Sequence, residues 1–487
     1  MRPFARAALA ALVLLASRPA QAAVSEPDAH DDDAFDLMNV LSAKGWHDLA
    51  HERWNVYGQV TYISSWKRGF SAQYTNLNGT PYSLSPDAER SFTGTATVYL
   101  GVALWPGGEA YLVPEVISER PLSGLKGLGG AIQNFELQKS GSATPLLYRS
   151  RAYVRQTIEL GGDEVKKSSE PMQLGATTSS RRLVLTLGNF SVLDFIDKNA
   201  FSGDLRRQFF NMAFLSYAAY DFAADARGYT WGGVAAFHWD DWALRFARIA
   251  PPKNPNQLDI DFRIDRHYGD QLELEHGHVL LGEPGAVRVL GYRNRELMGR
   301  FDDAVAVHAG DPSRNATTCP SDVFSYGDST NATAPDLCWV RKANVKVGIG
   351  INLEQRVHAD VGVFFRGMYS DGQTEVYSYT SADRSVSMGA LAKGRPWSRP
   401  RDLAGVGFGA AWISAAHARY LNAGGVDGFI GDGKLNQAAE RVFEVFYSAN
   451  VVSPVWISLD YQRISNPAYN ADRGGVNVFG ARVHGEL

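Results

Sequence analysis

The sequence contains only two cysteines and no apolar run long enough to form a transmembrane helix. Such a helix needs about 18 or more consecutive apolar residues, so insertion into a membrane would require β-strands. Lys and Arg total 48 against 52 Asp and Glu, which leaves a net charge of −4. This balance gives no reason to expect a nucleic-acid partner. Motifs of the G-x-S-x-G or H-E-x-x-H type are missing, so we expect neither a catalytic site nor a cofactor.

The first 22 residues have the pattern of a cleavable secretory signal peptide. Arg2 and Arg6 precede an apolar run over residues 7–16, and Ala20-Gln21-Ala22 supplies the small-x-small cleavage pattern. We therefore expect an exported protein. The predicted divisions are a signal peptide at 1–22, a periplasmic leader with a short helix at 23–50, and one β-structure with long external loops at 51–487.

Both cysteines lie in one polar stretch, at positions 319 and 338. An exported chain meets an oxidising compartment, where a nearby pair of cysteines forms a disulfide. No further Cys or His cluster stands beside them to complete a zinc site. We expect Cys319 and Cys338 to be bonded to each other.

The segment LLYRSRAYVRQTIEL, residues 146–160, alternates between polar and apolar side chains with a period of two. Successive side chains of a β-strand point to opposite faces, so Arg149, Arg151 and Arg155 share one face. An arginine facing lipid at the bilayer midplane costs roughly 2–4 kcal/mol, so these three must face water. Two structures meet that demand: a sandwich strand facing bulk solvent, and a barrel strand facing an aqueous lumen.

The same alternation recurs along the chain and favours the barrel. Residues 340–353, 356–366, 439–450 and 455–463 repeat it. Connections of two contrasting lengths separate the strands, as in outer-membrane barrels with short periplasmic turns and long external loops. The predicted short turns are 240–241, 282–285, 354–355 and 453–454, and the predicted long loops are 67–90, 301–339 and 415–438.

The pattern predicts an all-β fold, a transmembrane antiparallel barrel of about sixteen strands with a short N-terminal helix. The count is sixteen or seventeen, depending on whether residues 208–220 form a strand or part of a loop. The aromatic residues Phe237, Trp239, Trp242 and Phe246 flank a two-residue turn, where an interfacial girdle would lie. A soluble core cluster is the alternative for these rings.

Five segments of the chain resemble the carbohydrate-selective outer-membrane porins of the OprB type. They are WPGGEAYLVPEV (105–116), GNFSVLDFIDKNAFSGDLRRQFFN (188–211), DFAADARGYTWGG (221–233), WALRFARIAPPKNPN (242–256) and the closing residues 460–487. The resemblance implies a sixteen-stranded barrel in the bacterial outer membrane that passes sugars, with charged and aromatic residues narrowing its lumen. Two features depart from the family: the chain ends in Leu487 where such barrels commonly end in Phe, and the part before residue 100 matches less clearly.

Sugars present hydroxyl groups and apolar CH faces, so a selective constriction needs hydrogen-bonding charges beside aromatic rings. Segment 189–210 is the candidate for a loop folded into the barrel, with an ordinary exposed loop as the alternative. For Glu119 and Arg120, a position in the pore and a local salt bridge are equally expected. The residues expected to line the pore or contact substrate are Arg149, Arg151, Arg155, Glu115, Glu119, Arg120, Asp194, Asp197, Asn199, Glu273, Glu275, Glu440, Glu444 and Trp456.

Three other functions remain open on the sequence alone. One is a general porin or a porin for another solute, because pore width and charge do not name the ligand. The second is a barrel enzyme, for which His276 and His278 offer a weak metal site. The third is a soluble exported β-protein that binds glycans. The expected partners of a porin are permeating sugars and outer-membrane lipid, and the assembly is a monomer or a trimer.

Overall fold

Sixteen antiparallel strands, β1 to β16, close into one barrel in the computed structural model, which describes residues 36–137, 141–378 and 380–487. Each strand pairs with its neighbours in sequence, and β1 pairs with β16 to complete the ring. The predicted all-β barrel of about sixteen strands is confirmed. The predicted signal peptide lies outside the described residues.

The strands are long enough to cross a bilayer at a tilt, since a membrane strand needs about 9–11 residues. Only β7 is shorter than that range. Their bounds are Trp54–Lys67, Glu89–Trp105, Gly108–Arg120, Leu146–Lys167, Ala176–Phe190, Thr230–Trp239, Trp242–Ile249, Tyr268–Leu280, Glu283–Met298, Lys342–His358, Val361–Ser370, Arg384–Gly394, Arg399–Trp412, Glu440–Val452, Val455–Ser465 and Val476–Glu486.

In the described residues, four short α-helices accompany the strands. Helix α1 begins after Asp36, whose carboxylate accepts a hydrogen bond from the Asn39 backbone N–H at 2.8 Å. The helix bounds are Leu37–Ala43 for α1, Met212–Leu215 for α2, Phe301–Gly310 for α3 and Ala415–Asn422 for α4. Across the described parts of the chain, no helix is long and apolar enough to span a membrane.

The connections differ in length between the two ends of the barrel, as the sequence predicts. One end carries short turns, and the other carries eight loops that leave the strands on the external side. We number these loops 1 to 8 in chain order: 68–88, 121–145, 191–229, 250–267, 299–341, 371–383, 413–439 and 466–475. Residues 208–220 belong to loop 3 and contain α2, which fixes the strand count at sixteen.

The predicted turn at residues 354–355 is wrong. Strand β10 continues to His358, and the turn to β11 lies at residues 359–360. Glu354 is 2% exposed because its side chain points into the barrel and accepts a hydrogen bond from the Ala200 backbone N–H of loop 3 at 2.7 Å. A polar pair inside a strand therefore resembles a turn, although Glu354 points into the lumen and Gln355 lies on the opposite face beside His278.

The inner and outer faces of the barrel differ as the period of two requires. On β1, Val60 and Tyr62 face outward and are 54% and 42% exposed, whereas Thr61 and Ile63 face inward and are 1% and 0% exposed. Inward side chains are buried because loops fill part of the barrel. The outer face carries the apolar side chains that a lipid environment requires.

A cluster of phenylalanines fills the interior on the side of β11 to β14. Phe209 and Phe214 of loop 3 pack against Phe364 of β11, and Phe209 also packs against Phe446 of β14, with ring centroids 4.9–6.2 Å apart. Gly407 on β13 makes room for them, because a Cβ there would lie 2.8 Å from the Phe214 ring. Loop 3 is thus anchored by a hydrophobic core inside the barrel, which confines the open channel to the remaining space.

Candidate functional site

Loop 3 enters the barrel through an ion pair with β4. The Arg151 guanidinium donates from Nε and Nη2 to the two carboxylate oxygens of Asp194, each at 2.7 Å. Asp194 also accepts the backbone N–H of Ser191 at 3.0 Å and so closes the 3-10 turn Val192–Asp194. A two-point contact of this kind fixes the orientation of both groups. The first turn of loop 3 is therefore held against the β4 wall.

The middle of loop 3 is held by side chains of strands β8, β10 and β11, whereas β4 holds its first turn. Asp197 lies 3.0 Å from the Arg366 guanidinium of β11, and its backbone N–H donates to Glu273 of β8 at 2.8 Å. Asn199 donates to the Asn352 side chain of β10 at 2.8 Å. Three strands therefore supply side chains that bind the same short stretch of the loop.

Two glutamates of β14 hold the backbones of loops 2 and 3. Glu440 accepts the N–H groups of residues 129, 130 and 131 at 3.0, 2.6 and 2.8 Å, and that of Ala468 at 2.9 Å. Glu444 accepts the N–H groups of Phe210 and Asn211 at 2.6 and 3.0 Å. Hydrogen bonds to a charged acceptor are stronger than neutral ones, which suits these residues to the task of retaining loops inside the barrel.

Arg206 of loop 3 joins three elements in one polar cluster. Its guanidinium contacts the carboxylate of Glu136 in loop 2 and the hydroxyl of Thr95 on β2. Glu115 on β3 lies 3.6 Å from it and accepts a hydrogen bond from Thr97 at 2.7 Å. Loops 2 and 3 and the β2–β3 wall are therefore linked through one cation.

A ladder of alternating charges runs across β7 to β10 on the inner face. Arg245 lies 3.0 Å from Glu273 and 3.1 Å from Glu275. Arg288 lies 2.5 Å from Glu275 and 3.2 Å from Glu354. Each carboxylate thus has a guanidinium beside it, so the ladder carries fixed charge of both signs into the channel, as charged rings do in channels generally.

A cavity of about 2110 Å³ opens below loop 3 toward the short-turn end of the barrel. Its border includes two arginines that lie over aromatic rings. The Arg155 guanidinium is 5.1 Å from the Tyr111 ring and 5.6 Å from the Tyr153 ring, and that of Arg207 is 4.2 Å from the Trp456 ring. Arg155 also donates to the Met172 carbonyl at 3.2 Å and to the Tyr153 hydroxyl at 3.3 Å, so its guanidinium is held in place at the border of the cavity.

Of the residues expected from the sequence to line the pore, several border this cavity and others do not. Those that border it are Arg155, Asp194, Asp197, Asn199, Glu275 and Trp456. Glu273, Glu440 and Glu444 face inward but are at most 1% exposed, because loops 2 and 3 cover them. The expectation that these three glutamates line the open channel is wrong. Alternation reports which face a side chain takes, but it cannot report that a loop from elsewhere in the chain covers it.

Two arginines in the predicted set lie on the outer face. Arg149 pairs with Pro114, an outward residue of β3, and its guanidinium stacks on the outward Trp231 ring at 5.0 Å. Proline has no N–H for the ladder, and the register between β3 and β4 shifts at this point, so Arg149 and Arg151 take opposite faces. Arg120 ends β3 on the outer face, opposite Phe92 of β2. The prediction of both residues as pore-lining is therefore wrong.

The remaining members of the predicted set are buried on the inner face. Glu119 is 1% exposed and accepts the backbone N–H of Gly141 from loop 2. Glu115 is also 1% exposed and belongs to the Arg206 cluster. Arg245 and Arg288 are missing from the predicted set, although alternation in β7 and β9 places both among inward residues. A cationic residue on the inner face of a strand is the signal that could have found them.

Cys319 and Cys338 form a disulfide in loop 5, with their sulfur atoms 2.00 Å apart. Asp336 lies close to both sulfurs, but sulfurs bonded to each other offer no thiolate to a metal ion. His276 and His278 lie on the outer face of β8, with ring centroids 6.3 Å apart, and His276 stacks on Trp242 at 4.2 Å. This places the pair in an aromatic girdle beside the turn at 240–241.

Comparison with known proteins identifies the family. Residues 94–487 match the description "Carbohydrate-selective porin, OprB family". The chain belongs to this family. Its structure is similar to the high-pH structure of Pseudomonas putida OprB, with a TM-score of 0.66, 12% identity, and coverage of 94% of this chain and 100% of that chain. At that identity the likeness supports the fold, and the family match carries the function.

Two further solved structures are more distant. The outer membrane channel DcaP of Acinetobacter baumannii has a TM-score of 0.47, 10% identity, and coverage of 89% of this chain and 97% of that chain. OccAB1 of Acinetobacter baumannii has a TM-score of 0.43, 12% identity, and coverage of 89% and 96%. No curated protein sequence is significantly similar to this chain.

Membership in the OprB family places the protein in the outer membrane of a bacterium. Porins of this family are channels and not enzymes, and they conduct carbohydrates as a class. The interior charges and the loop-covered walls described above are therefore features of a carbohydrate-selective porin.

Proposed function

We propose that this protein forms a water-filled channel through which monosaccharides such as glucose diffuse into the periplasm. The observation that carries the proposal is the pair of arginines, Arg155 and Arg207, held over aromatic rings at the border of the cavity. Fixed guanidinium groups present several N–H donors at set angles, and sugar hydroxyls accept from such donors.

Carboxylates at the same border complement these donors. Asp194 lines the cavity with its side chain 11% exposed and offers oxygen acceptors to sugar hydroxyls that point the other way. It is neutralised by Arg151, and Glu275, which is buried at the border of the cavity, is neutralised by Arg245 and Arg288. A neutral solute with many hydroxyl groups fits this balance of donors and acceptors better than a strongly charged solute.

The test is single-channel conductance of the purified protein in a planar bilayer, with glucose added in increasing concentration. We expect discrete current steps that glucose blocks saturably. Arg155→Gln with Arg207→Gln should weaken that block, because amides lose the fixed fork of donors. Arg441→Gln is the matched control, since Arg441 faces outward on β14.

Two results would contradict parts of the proposal. Steps that no sugar blocks would retain the channel and remove glucose as its substrate. Equal block in the double variant and in Arg441→Gln would remove the two arginines from the recognition of sugar.

A further inference from the structure

The outward face of the barrel carries an arginine belt at the ends of the strands that join the external loops. In an antiparallel sheet, directly paired residues share a face, so the pairing registers define which arginines point outward. Nine lie within strands and one directly follows β1. They are Arg68, Arg90, Arg120, Arg149, Arg248, Arg293, Arg295, Arg384, Arg441 and Arg463.

Acidic residues do not balance the positive charge of this belt. Within the strands, Asp270 on β8 is the one acidic residue that faces outward in the external half of the barrel. It is bound by Arg248, with contacts of 2.7 and 2.8 Å. At the short-turn end the outward charges are instead paired, as for Arg181 with Asp240 at 2.9 Å. The excess of positive charge is therefore confined to one rim of the barrel.

Aromatic rings support several arginines of the belt. Guanidinium groups lie 5.4 Å from the Trp66 ring for Arg90, 4.9 Å from the Tyr369 ring for Arg384, and 4.2 Å from the Tyr268 ring for Arg248. Aromatic rings of this kind sit at the boundary between hydrocarbon and headgroups. The arginines are therefore held at headgroup depth, where a charge on the lipid face is tolerated.

The densest part of the belt spans β7, β8 and β9. Arg248, Asp270 and Arg293 form one row across the three strands, and Arg295 lies opposite Tyr268 in the next row. Arg293 donates to the Tyr268 hydroxyl at 2.7 Å. Strands are spaced about 4.8 Å apart, so Arg248 and Arg293 are roughly 10 Å from each other. Three guanidinium groups and a single carboxylate leave this patch with an excess of two positive charges.

We propose that the arginine belt binds the phosphate groups of an anionic glycolipid in the outer leaflet, with the β7–β9 patch as its principal site. Guanidinium groups pair with phosphate through two parallel hydrogen bonds, and basic residues at headgroup depth attract anionic lipids. The apolar strand surface below the belt would accept the acyl chains of the same lipid. The belt is separate from the channel, so its role does not depend on which solute permeates.

The experiment titrates the purified full-length protein in detergent with deep-rough lipopolysaccharide, and with the same lipid after its phosphates have been removed enzymatically. Native mass spectrometry counts the lipids retained. We expect saturable binding of the phosphorylated lipid that weakens as salt rises, and at least about tenfold weaker binding of Arg293→Gln with Arg295→Gln. This variant leaves the Arg248–Asp270 pair intact, and Arg293→Lys with Arg295→Lys should bind between the two.

Arg181→Gln is the matched control, because Arg181 also faces outward on an aromatic ring, 4.6 Å from Trp239, at the opposite end of the barrel. It should bind lipid as the unaltered protein does. If the β9 variant fails to fold, Arg68→Gln with Arg463→Gln tests the belt on the other side. Equal binding of the phosphorylated and dephosphorylated lipids would overturn the proposal. So would equal binding by Arg181→Gln and by Arg293→Gln with Arg295→Gln, or a change of the oligomeric mass alone in that double variant. The single-channel conductance of these variants should be unchanged, which distinguishes a loss of lipid binding from a loss of channel function.

Discussion

Arg366 on β11 and Asp197 in loop 3 form a buried ion pair, with Nε and Oδ1 3.0 Å apart and side chains 1% and 0% exposed. The same guanidinium donates to the backbone oxygens of Ser202 and Phe214 at 3.1 and 2.9 Å. One wall residue therefore binds both ends of the segment that crosses the barrel interior. Loop 3 borders the cavity beneath it, so we expect this contact to influence the width of the channel.

Replacing Arg366 by Gln should destabilise the protein and release loop 3. The Asp197 carboxylate would remain buried without its cation, a change that typically costs about 3–5 kcal/mol. We expect a lower midpoint of denaturant unfolding and a larger single-channel conductance. Arg441→Gln, outside the channel, should alter neither. A variant with unchanged conductance would show that loop 3 does not need Arg366 to stay in place.

Replacing Glu440 by Gln should loosen loop 2. The carboxylate accepts three backbone N–H groups of residues 129–131, and an amide would turn an NH2 group toward at least one of them. Each hydrogen bond to a charged group contributes about 1.5–3 kcal/mol. Hydrogen exchange at these amides should accelerate, whereas Glu283→Gln at a short turn should leave them protected. Exchange that is equally slow in both variants would contradict this role.

Adding a methyl group at Gly407 should disturb the phenylalanine cluster. The new Cβ would lie 2.8 Å from the Phe214 ring and 2.9 Å from the Phe209 ring. Overpacking of this kind costs about 1–3 kcal/mol. Gly367→Ala is the control, because its nearest neighbours would lie at 3.5 Å, an ordinary contact distance. Thermal unfolding should separate the two variants, and equal melting temperatures would argue against tight packing at β13.

The external loops should lose stability as pH rises from 6.5 to about 9. His417 of α4 lies between Asp383 and Asp427, with nitrogen–oxygen distances of 3.1 and 3.2 Å, and stacks on Phe301 of α3. Burial acts to lower the pKa of His417, but the two carboxylates outweigh it and raise that pKa from its ordinary 6.5 to about 9. The folded state therefore holds the proton more tightly than the unfolded state.

The stabilisation from His417 is complete below pH 6.5 and declines until it is lost above about 9. Burial acts to raise the pKa of Asp383, but the interactions of this carboxyl, chiefly those with His417, together outweigh burial, and the pKa lies below its usual value. That carboxyl therefore contributes stability at all but strongly acidic pH. The protection factors for amide hydrogen exchange in loops 6 and 7, taken relative to the intrinsic exchange rate at each pH, should be larger at pH 6 than at pH 9.5. In His417→Gln this contribution to the pH dependence should vanish, and its persistence would assign the effect to another group.

Removal of the disulfide should affect loop 5 alone. Cys319 and Cys338 are 19 residues apart, and closing a loop of that length stabilises a chain by about 3 kcal/mol. Cys319→Ser with Cys338→Ser should increase proteolysis within residues 299–341. The heat-modifiable mobility of the barrel should not change, because the strands make no use of this bond. A general loss of folded barrel would show that loop 5 matters to assembly.

Much of the barrel could be predicted because alternation is a local property of the chain. The inward direction of Arg151, Arg155 and Glu440 follows from the period of two in their own strands. The outward direction of Arg149 does not, because it depends on the shift in register opposite Pro114 of another strand. A proline within a membrane strand is a signal of such a shift, since it cannot donate to the ladder.

The sequence alone predicted a barrel of sixteen or seventeen strands, the asymmetry of its ends and the cysteine pair, because each follows from spacing and composition within short segments. The helix α2 inside loop 3 decided the count of sixteen. Tertiary structure decided which inward charges meet water. Glu440 and Glu444 have the same alternation as Arg155, yet they lie beneath loops 2 and 3 and hold them. The path of a loop across the lumen is set by many contacts between distant residues, and no single segment contains them.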